Sequence, residues 1–197
     1  MGRLRLASAA LLVLGAAAAG CTTHLTPPLS PVAPVPVLLL DHGRHASLVL
    51  PGGEGKTIRY SYGDWRYYAR DVTGFRSGAA ALLWPTAPAL GRRELDAAPE
   101  EAAVRRALRV WADTVITLQV EGARAQALRT RLDSLFAAGK EKAYLYNATY
   151  DLDFVHHPRR YWIGHNSNQV LAGWLRELGI NVRGPTLLSS WRVEPPH

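Results

Sequence analysis

Three short polar clusters contain the residue types that could carry out chemistry. They are residues 41–45 (DHGRH), residues 62–65 (YGDW) and residues 164–168 (GHNSN). The third is the most suggestive, because Ser167 lies where an amphipathic helix begins, and the unpaired N–H groups and dipole of a helix start favour negative charge. A serine still needs a base to take its proton during attack. Ser and Asn are also among the best N-cap residues, so nucleophile and cap remain alternatives here.

Five histidines raise the question of a metal site: His42, His45, His156, His157 and His165. His42 and His45 lie three residues apart, whereas the zinc helix motif spaces its histidines four apart, with a glutamate beside the first. The remaining domain also contains no cysteine that could act as a ligand. We therefore expect neither a metal nor a cofactor.

The N-terminus has the pattern of a secretory signal. Arg3 and Arg5 form a short basic region, and residues 6–20 are uncharged and mostly Ala, Leu, Val and Gly. This apolar stretch is shorter than a membrane-spanning helix, which favours a cleaved signal over a permanent anchor. Residues 18–21 (AAGC) resemble the bacterial lipobox, in which the cysteine is lipidated and the chain is cut before it. We expect residues 1–20 to be the signal peptide and Cys21 the lipid site; the alternative is an ordinary secretory signal with a chance cysteine.

The exported part is long enough for one domain with a sizeable core. Because Cys21 is the only cysteine, no disulfide forms within the chain, and the domain must fold on its apolar core alone. The formal net charge of +7 comes from basic residues interspersed with acidic ones, without a Lys/Arg-rich arm. We therefore expect no nucleic-acid partner. An anionic lipid surface or acidic envelope polymer would suit this charge, and so would a merely soluble surface.

The periodicity of apolar residues predicts a mixed fold. Residues 21–35 comprise Cys21 and a proline-rich, extended tether, and residues 36–197 form a single domain. Strands are predicted at residues 37–40, 46–50, 57–62, 114–120 and 143–150. Helices are predicted at residues 65–70 with Asp64 as cap, 75–83, 99–111, 122–138 with Gly139 as the end, and 168–178. Residues 151–154 (DLDF) indicate an exposed turn, and residues 156–158 (HHP) a solvated loop. Because no regular βαβ alternation appears, we predict the α+β class, with an antiparallel sheet packed against helices.

The order of these motifs resembles an uncharacterised family of bacterial exported proteins, named after conserved hypothetical proteins of the urease region. Members pass through a Gly-x-His turn into an apolar strand that ends at proline, here residues 43–51. A Gly-Asp-aromatic segment follows, here residues 63–68, and then an apolar stretch with proline, here residues 79–88. Near the end the family has Thr-Cys-Asn before an amphipathic helix, here residues 166–168 with serine at the centre.

That family in turn resembles the permuted papain-like hydrolases, which include cell-wall peptidases, amidases and acyltransferases. The resemblance implies a permuted papain-like architecture, with His45 as the base and Ser167 at the position of the nucleophile. Asp64 is the candidate acid that orients the base. The candidate substrate contacts are His165, Asn166, Asn168 and Trp65. The departure is Ser167 itself, because serine cannot supply the thiolate–imidazolium pair on which a papain-like site depends.

Two main functions are compatible with that departure. A Ser–His couple with an oxyanion hole would act on an amide or ester of the cell envelope, such as a peptidoglycan peptide or a lipid acyl group. Alternatively, the domain has lost catalysis and is a binding or scaffold lipoprotein that keeps the fold and its cleft; a purely structural lipoprotein would have the cleft filled. The enzyme requires the side chains of His45 and Ser167 to lie within hydrogen-bond reach and open to solvent.

Thr22, the residue after the expected lipid site, bears on localisation. By resemblance to sorted lipoproteins, a residue other than aspartate at this position implies the outer membrane of a double-membraned cell. We therefore expect a periplasm-facing lipoprotein whose membrane partner is reached through the lipid on Cys21.

Overall fold

The computed structural model describes residues 22–43, 45–70, 86–159, 161, 165–186 and 189–196. The strands are β1 (Thr23–Thr26), β2 (Pro34–Asp41), β3 (Ala46–Gly53), β4 (Lys56–Asp64), β5 (Pro88–Leu95), β6 (Thr114–Glu121), β7 (Tyr144–Asn147), β8 (Leu152–His156), β9 (Asn181–Arg183) and β10 (Trp191–Val193). The α-helices are α1 (Glu101–Ala107), α2 (Gly122–Lys140) and α3 (Ser167–Glu177), and a π-helical turn spans Trp65–Ala69.

The strands form two sheets. The larger has seven strands in the order β6-β2-β3-β4-β5-β8-β7, and each neighbouring pair is antiparallel. The smaller has the order β10-β1-β9, in which β1 runs parallel to β10 and antiparallel to β9. The predicted α+β class, with a mainly antiparallel sheet and helices, is confirmed.

Both faces of the larger sheet are buried, and β2 shows why. Val37 and Leu39 point into the core shared with α2 and α3, whereas Leu38 and Leu40 point into a second core with α1. All four are fully buried, and each contributes about 1.5–3 kcal/mol relative to an exposed side chain. Burial on both faces explains why this strand has a continuous apolar run instead of an alternating pattern.

The two strongest predicted helices, residues 122–138 and 168–178, are confirmed as α2 and α3. Gly139 was wrongly expected to end α2, which continues to Lys140. The glycine has a packing reason instead: a Cβ at this position would lie 2.6 Å from the backbone oxygen of His156. Gly139 therefore allows α2 to approach the end of β8 closely.

The tether prediction for residues 21–35 is wrong at residues 23–26 and 34–35, which belong to strands. Thr23–Thr26 is strand β1, with Leu25 fully buried in the main core, and β2 already begins at Pro34. Ladder pairing with β9 and β10 holds this piece in the fold, a long-range effect that local composition does not reveal. Cys21 and residues 1–20 lie outside the described residues.

Several other boundaries also differ from the sequence expectations. Residues 99–111 give only the short helix α1, and residues 143–150 give only the four-residue strand β7. The expected turn and loop at residues 151–158 are largely strand β8, in which Leu152 and Phe154 are buried. The predicted helix at residues 75–83 lies outside the described residues. None of the helices in the described ranges is long and apolar enough to cross a membrane.

Candidate functional site

The motifs containing His45, Asp64 and Ser167 lie at the ends of three elements. His45 comes directly before β3, Asp64 ends the neighbouring strand β4, and Ser167 is the first residue of α3. Tyr68, in the π-helical turn after β4, contacts both His45 and Ser167. Its ring centroid lies 5.3 Å from that of His45, and its hydroxyl forms a hydrogen bond with Ser167. We refer to these residues and Tyr161 as the His45–Ser167 site.

Ser167 is enclosed by tyrosines. Its side chain is 5% exposed and forms hydrogen bonds with the phenols of Tyr68 and Tyr161. Burial raises the pKa of Tyr68 well above its usual value, and burial together with Asp64 raises the pKa of Tyr161 to about 12. Both phenols therefore keep their protons at neutral pH. The Ser167 hydroxyl lowers both pKa values as a donor, so its proton is directed at a phenol oxygen and not at a catalytic base.

The backbone N–H of Ser167 also has a partner. It donates to the Tyr161 hydroxyl, and this bond partly offsets the rise that burial causes in the pKa of Tyr161. In an acyl-transfer site, an N–H at this helix start would belong to the oxyanion hole and would point at the reacting carbonyl. The Tyr161 hydroxyl occupies that direction instead.

His45 is placed among aromatic rings. Its centroid lies 4.9 Å from that of His42 in a stacked arrangement and 5.8 Å from that of Tyr150 in an edge contact. Burial, together with the charges of His42 and Arg59, lowers the pKa of His45 to about 3. The imidazole is therefore neutral at neutral pH, and within the described part of the chain no hydrogen bond joins it to Ser167 or to a carboxylate.

Asp64, the candidate orienting acid, is a helix cap. It is 3% exposed; one carboxylate oxygen accepts the Tyr67 N–H at 2.8 Å and the other accepts the Thr86 hydroxyl. Both carboxylate oxygens are thus bonded, one to the π-helical turn and one to Thr86. The bond to the Tyr67 N–H is the capping role that the sequence also predicted. Neither is bonded to His45.

The Gly-Asp-aromatic motif around Asp64 forms a packing unit. The Tyr68 ring lies directly over Gly63, where an added Cβ would be 2.1 Å from the ring. Trp65, a candidate substrate contact, is 8% exposed and stacks on His156 with centroids 4.0 Å apart. His156 belongs to β8 and not to a solvated loop, because Trp65 and the strand pairing hold it.

Asn166 and Asn168 flank Ser167 at the start of α3. Asn166 is the N-cap: its side-chain oxygen accepts the Gln169 N–H at 3.0 Å, and the Gln169 side chain accepts the Asn166 N–H at 3.3 Å. Asn168 is 1% exposed. The capping alternative is therefore observed for Asn166, and a substrate contact by either residue remains a prediction.

A buried polar network beside His45 was missed by the sequence reasoning. The Nδ1–H of His42 donates to the Trp111 carbonyl at 2.7 Å, so its Nε2 accepts from the Ser47 hydroxyl at 2.9 Å. Ser47 in turn accepts from Nε of Arg59 at 3.0 Å, and Arg59 is 1% exposed. Burial, together with Arg59, lowers the pKa of His42 to about 4.

The positive charge of Arg59 has only partial compensation. Nη1 of Arg59 donates to the Tyr150 carbonyl at 3.1 Å. Burial lowers the pKa of Arg59 to about 10, and the negative charge of nearby Asp151 opposes this effect. The sequence signal for this network was Arg59 itself, an arginine in the middle of a strand in which apolar and polar residues alternate. This buried cation favours the neutral form of His45.

His165, the remaining candidate substrate contact, lines a cavity of about 530 Å³ between α2, α3 and the chain after β8. We call it the helix cavity. Tyr62 lies beneath it: the phenol donates to the Arg159 carbonyl at 3.0 Å and accepts from Nδ1 of His165 at 3.0 Å. In the described ranges, no group of three or more His, Cys, Asp or Glu side chains is arranged to hold a metal ion.

Comparison with known proteins gives no relative for this chain. No protein-family model, no curated protein and no solved structure matches it.

Proposed function

We propose that the chain is an exported lipoprotein whose α+β domain binds a ligand of the cell envelope without chemical turnover. Lipid on Cys21 anchors it to the outer membrane, and the domain faces the periplasm. His45 ahead of β3 and Ser167 at the start of α3 lie in the order that a permuted papain-like arrangement requires, and the antiparallel sheet with packed helices is compatible with it.

The enclosure of Ser167 carries the proposal that catalysis is absent. The Ser167 hydroxyl and N–H are bonded to tyrosines, so the nucleophile and its oxyanion donor both have internal partners. His45 has a pKa lowered to about 3, which makes it a weak base at neutral pH and disfavours an imidazolium. A serine without a base of suitable pKa retains the low reactivity of an ordinary alcohol.

One observation favours the second candidate, a hydrolase or acyltransferase acting on an envelope amide or ester. Tyr68 contacts His45 and Ser167 at once, so the two residues lie at the same end of the sheet. Catalysis would require Tyr68 and Tyr161 to leave Ser167, and His45 to gain a hydrogen bond with the serine. The two candidates therefore differ in whether Ser167 reacts with an electrophile.

A covalent probe distinguishes the candidates. The full chain is incubated with a fluorophosphonate at neutral pH beside a known serine hydrolase, and labelling is read by mass spectrometry. We expect no adduct on Ser167. An adduct that disappears in both Ser167→Ala and His45→Ala variants would establish the enzyme and overturn the proposal.

Lipidation needs its own test. Cells that express the full chain are fed a radiolabelled fatty acid, and membranes are separated by density. We expect label on the native chain in the outer-membrane fraction, and none on a Cys21→Ala variant. An unlabelled native chain recovered as soluble protein would contradict the anchor.

A further inference from the structure

The helix cavity combines a polar wall with an apolar wall. Arg131 comes from α2, His157 and Arg159 follow β8, and His165 precedes α3. The apolar wall is formed by Leu135, Val170 and Trp174. Such a lining suits a small ligand with one charged group and one apolar group.

The charge of the cavity is positive. Glu177 is the acidic residue among its lining residues, and it pairs with Arg131 at 2.8 Å, so the Arg159 charge is in excess. Burial lowers the pKa of His157 to about 4, with smaller contributions from the positive charges of His165, Arg159 and Arg131. At neutral pH His157 is therefore uncharged, and an anion in the cavity would be attracted by the Arg159 charge. Arginine is well suited to oxyanions such as phosphate and carboxylate.

The polar wall is held in place before any ligand arrives. The Tyr62 phenol bonds both to the Arg159 carbonyl and to the His165 ring. The Tyr62 ring also makes edge contacts with His157 and His165, with centroids 5.0 Å and 5.3 Å apart. Since Tyr62 is a buried residue of β4, only 2% exposed, it holds the His157 and His165 rings and the Arg159 backbone against the sheet. Such preorganisation lowers the entropic cost of binding.

Gly173 explains how the cavity stays open. It lies in the middle of α3, where glycine costs about 0.8–1.0 kcal/mol relative to alanine. Close packing does not require it, because a Cβ at this position would have no other atom within 4 Å. The missing side chain instead leaves the space that the cavity occupies.

From this combination we propose that the helix cavity binds a small organic anion in which a phosphate or carboxylate is joined to a short apolar group. The oxyanion lies against the Arg159 guanidinium and the Nε2–H of His157, whose Nδ1 accepts the Arg159 N–H. The apolar group lies against Val170 and Trp174. The cavity is distinct from the His45–Ser167 site, so this inference goes beyond the proposed function and does not depend on the reactivity of Ser167.

Isothermal titration of the full chain tests the inference. The chain is held in phosphatidylcholine nanodiscs and titrated with phenyl phosphate, benzoate, benzyl alcohol and inorganic phosphate. We expect phenyl phosphate or benzoate to bind at least about tenfold more tightly than the two compounds that have only one of the groups, as for a loss of about 1.4 kcal/mol; the better of the two identifies the oxyanion. Equal or undetectable binding of all four would overturn the proposal.

Variants locate the binding. Gly173→Leu fills the cavity without a backbone clash, so we expect a folded protein with binding reduced at least tenfold. Arg159→Gln should weaken binding by a similar factor. Tyr62→Phe should weaken it severalfold, because it releases the Arg159 backbone and the His165 ring from the sheet. Arg105→Gln is the control for a general loss of positive charge, because Arg105 is an exposed arginine on α1 that does not line the cavity. Native affinity in a folded Gly173→Leu variant would place the ligand elsewhere and contradict the proposal, whereas fluorophosphonate labelling of Ser167 tests only the proposed function.

Discussion

The His45–Ser167 site and the helix cavity both include residues of α3, yet they differ in what their polar groups contact. In the first, tyrosines bond the Ser167 hydroxyl and N–H, and His45 is neutral against other rings. In the second, an excess positive charge lines an open volume of about 530 Å³. Polar groups with internal partners stabilise a fold but have little capacity left for a ligand. The comparison therefore assigns a structural role to most of the motif residues and binding to a cavity in which His165 is the motif residue.

The largest expected effect comes from the buried cation beside His45. Arg59→Ala should lower the free energy of unfolding by about 3–5 kcal/mol, because it leaves a cavity at a fully buried position and leaves the Ser47 hydroxyl and the Tyr150 carbonyl without their donor. Lys56→Ala is the control on the same strand; its pairing with Glu94 is exposed and screened by solvent, so the loss should be much smaller. Urea unfolding measures both. Equal losses would mean that the packed site is not rigidly organised.

Acid should destabilise the fold through its buried histidines. Folding lowers the pKa of His42 and His157 to about 4 and of His45 to about 3, from 6.5. Between those values the unfolded chain binds more protons than the folded one, so stability falls as the pH drops below about 6.5. His45→Gln should flatten this dependence by up to about 1.4 kcal/mol per pH unit. Thermal unfolding at pH 7.0 and 5.0 provides the measurement, and an unchanged pH dependence in the variant would contradict a neutral His45.

A smaller effect separates the capping role of Asp64 from a catalytic one. Asp64→Ala should cost about 1–2 kcal/mol, since it removes the acceptor of the Tyr67 N–H. Asp64→Asn keeps an oxygen for that bond and should cost clearly less. Urea unfolding midpoints of the two variants measure the difference. If asparagine is as harmful as alanine, the negative charge and not the cap is what the site needs.

The smallest effect compares two glycines within helices. Gly173→Ala should stabilise the protein by about 0.5–1 kcal/mol, because its Cβ enters open space. Gly139→Ala should destabilise it, because its Cβ would meet the His156 carbonyl and Val155. The thermal unfolding midpoints of the two variants show which one is stabilised and which one is destabilised. A destabilised Gly173→Ala variant would show that the cavity floor is already packed.

The fold was predictable from the sequence where its signals are local. The apolar run of β2 and the amphipathic pattern of α3 were recognisable because burial of these elements sets the residue pattern directly. Strand β5 was missed because it contains two arginines and a glutamate, and Arg92 finds its partner, Asp133, in α2 at 2.8 Å. Nothing in the strand itself indicates that partner.

The site was predictable to a smaller extent for the same reason. The resemblance implied that His45 and Ser167 converge, and Tyr68 does contact both residues. The helix start supplied the capping alternative for Asn166. The partners of Ser167 were not foreseeable, because Tyr68 lies about a hundred residues away in the chain and Tyr161 belongs to no motif. The helix cavity depends likewise on elements that are distant in sequence.

The thiol reactivity of a Ser167→Cys variant tests the central claim most directly, because it restores the residue of the resembled family. Its rate of alkylation by iodoacetamide is measured in the full chain as a function of pH, with and without His45→Ala. We predict that the apparent thiol pKa is the same in both backgrounds, since a neutral His45 supplies no imidazolium. A thiol pKa below about 6 that rises by two or more units when His45 is removed would show a working thiolate–imidazolium pair and contradict the account.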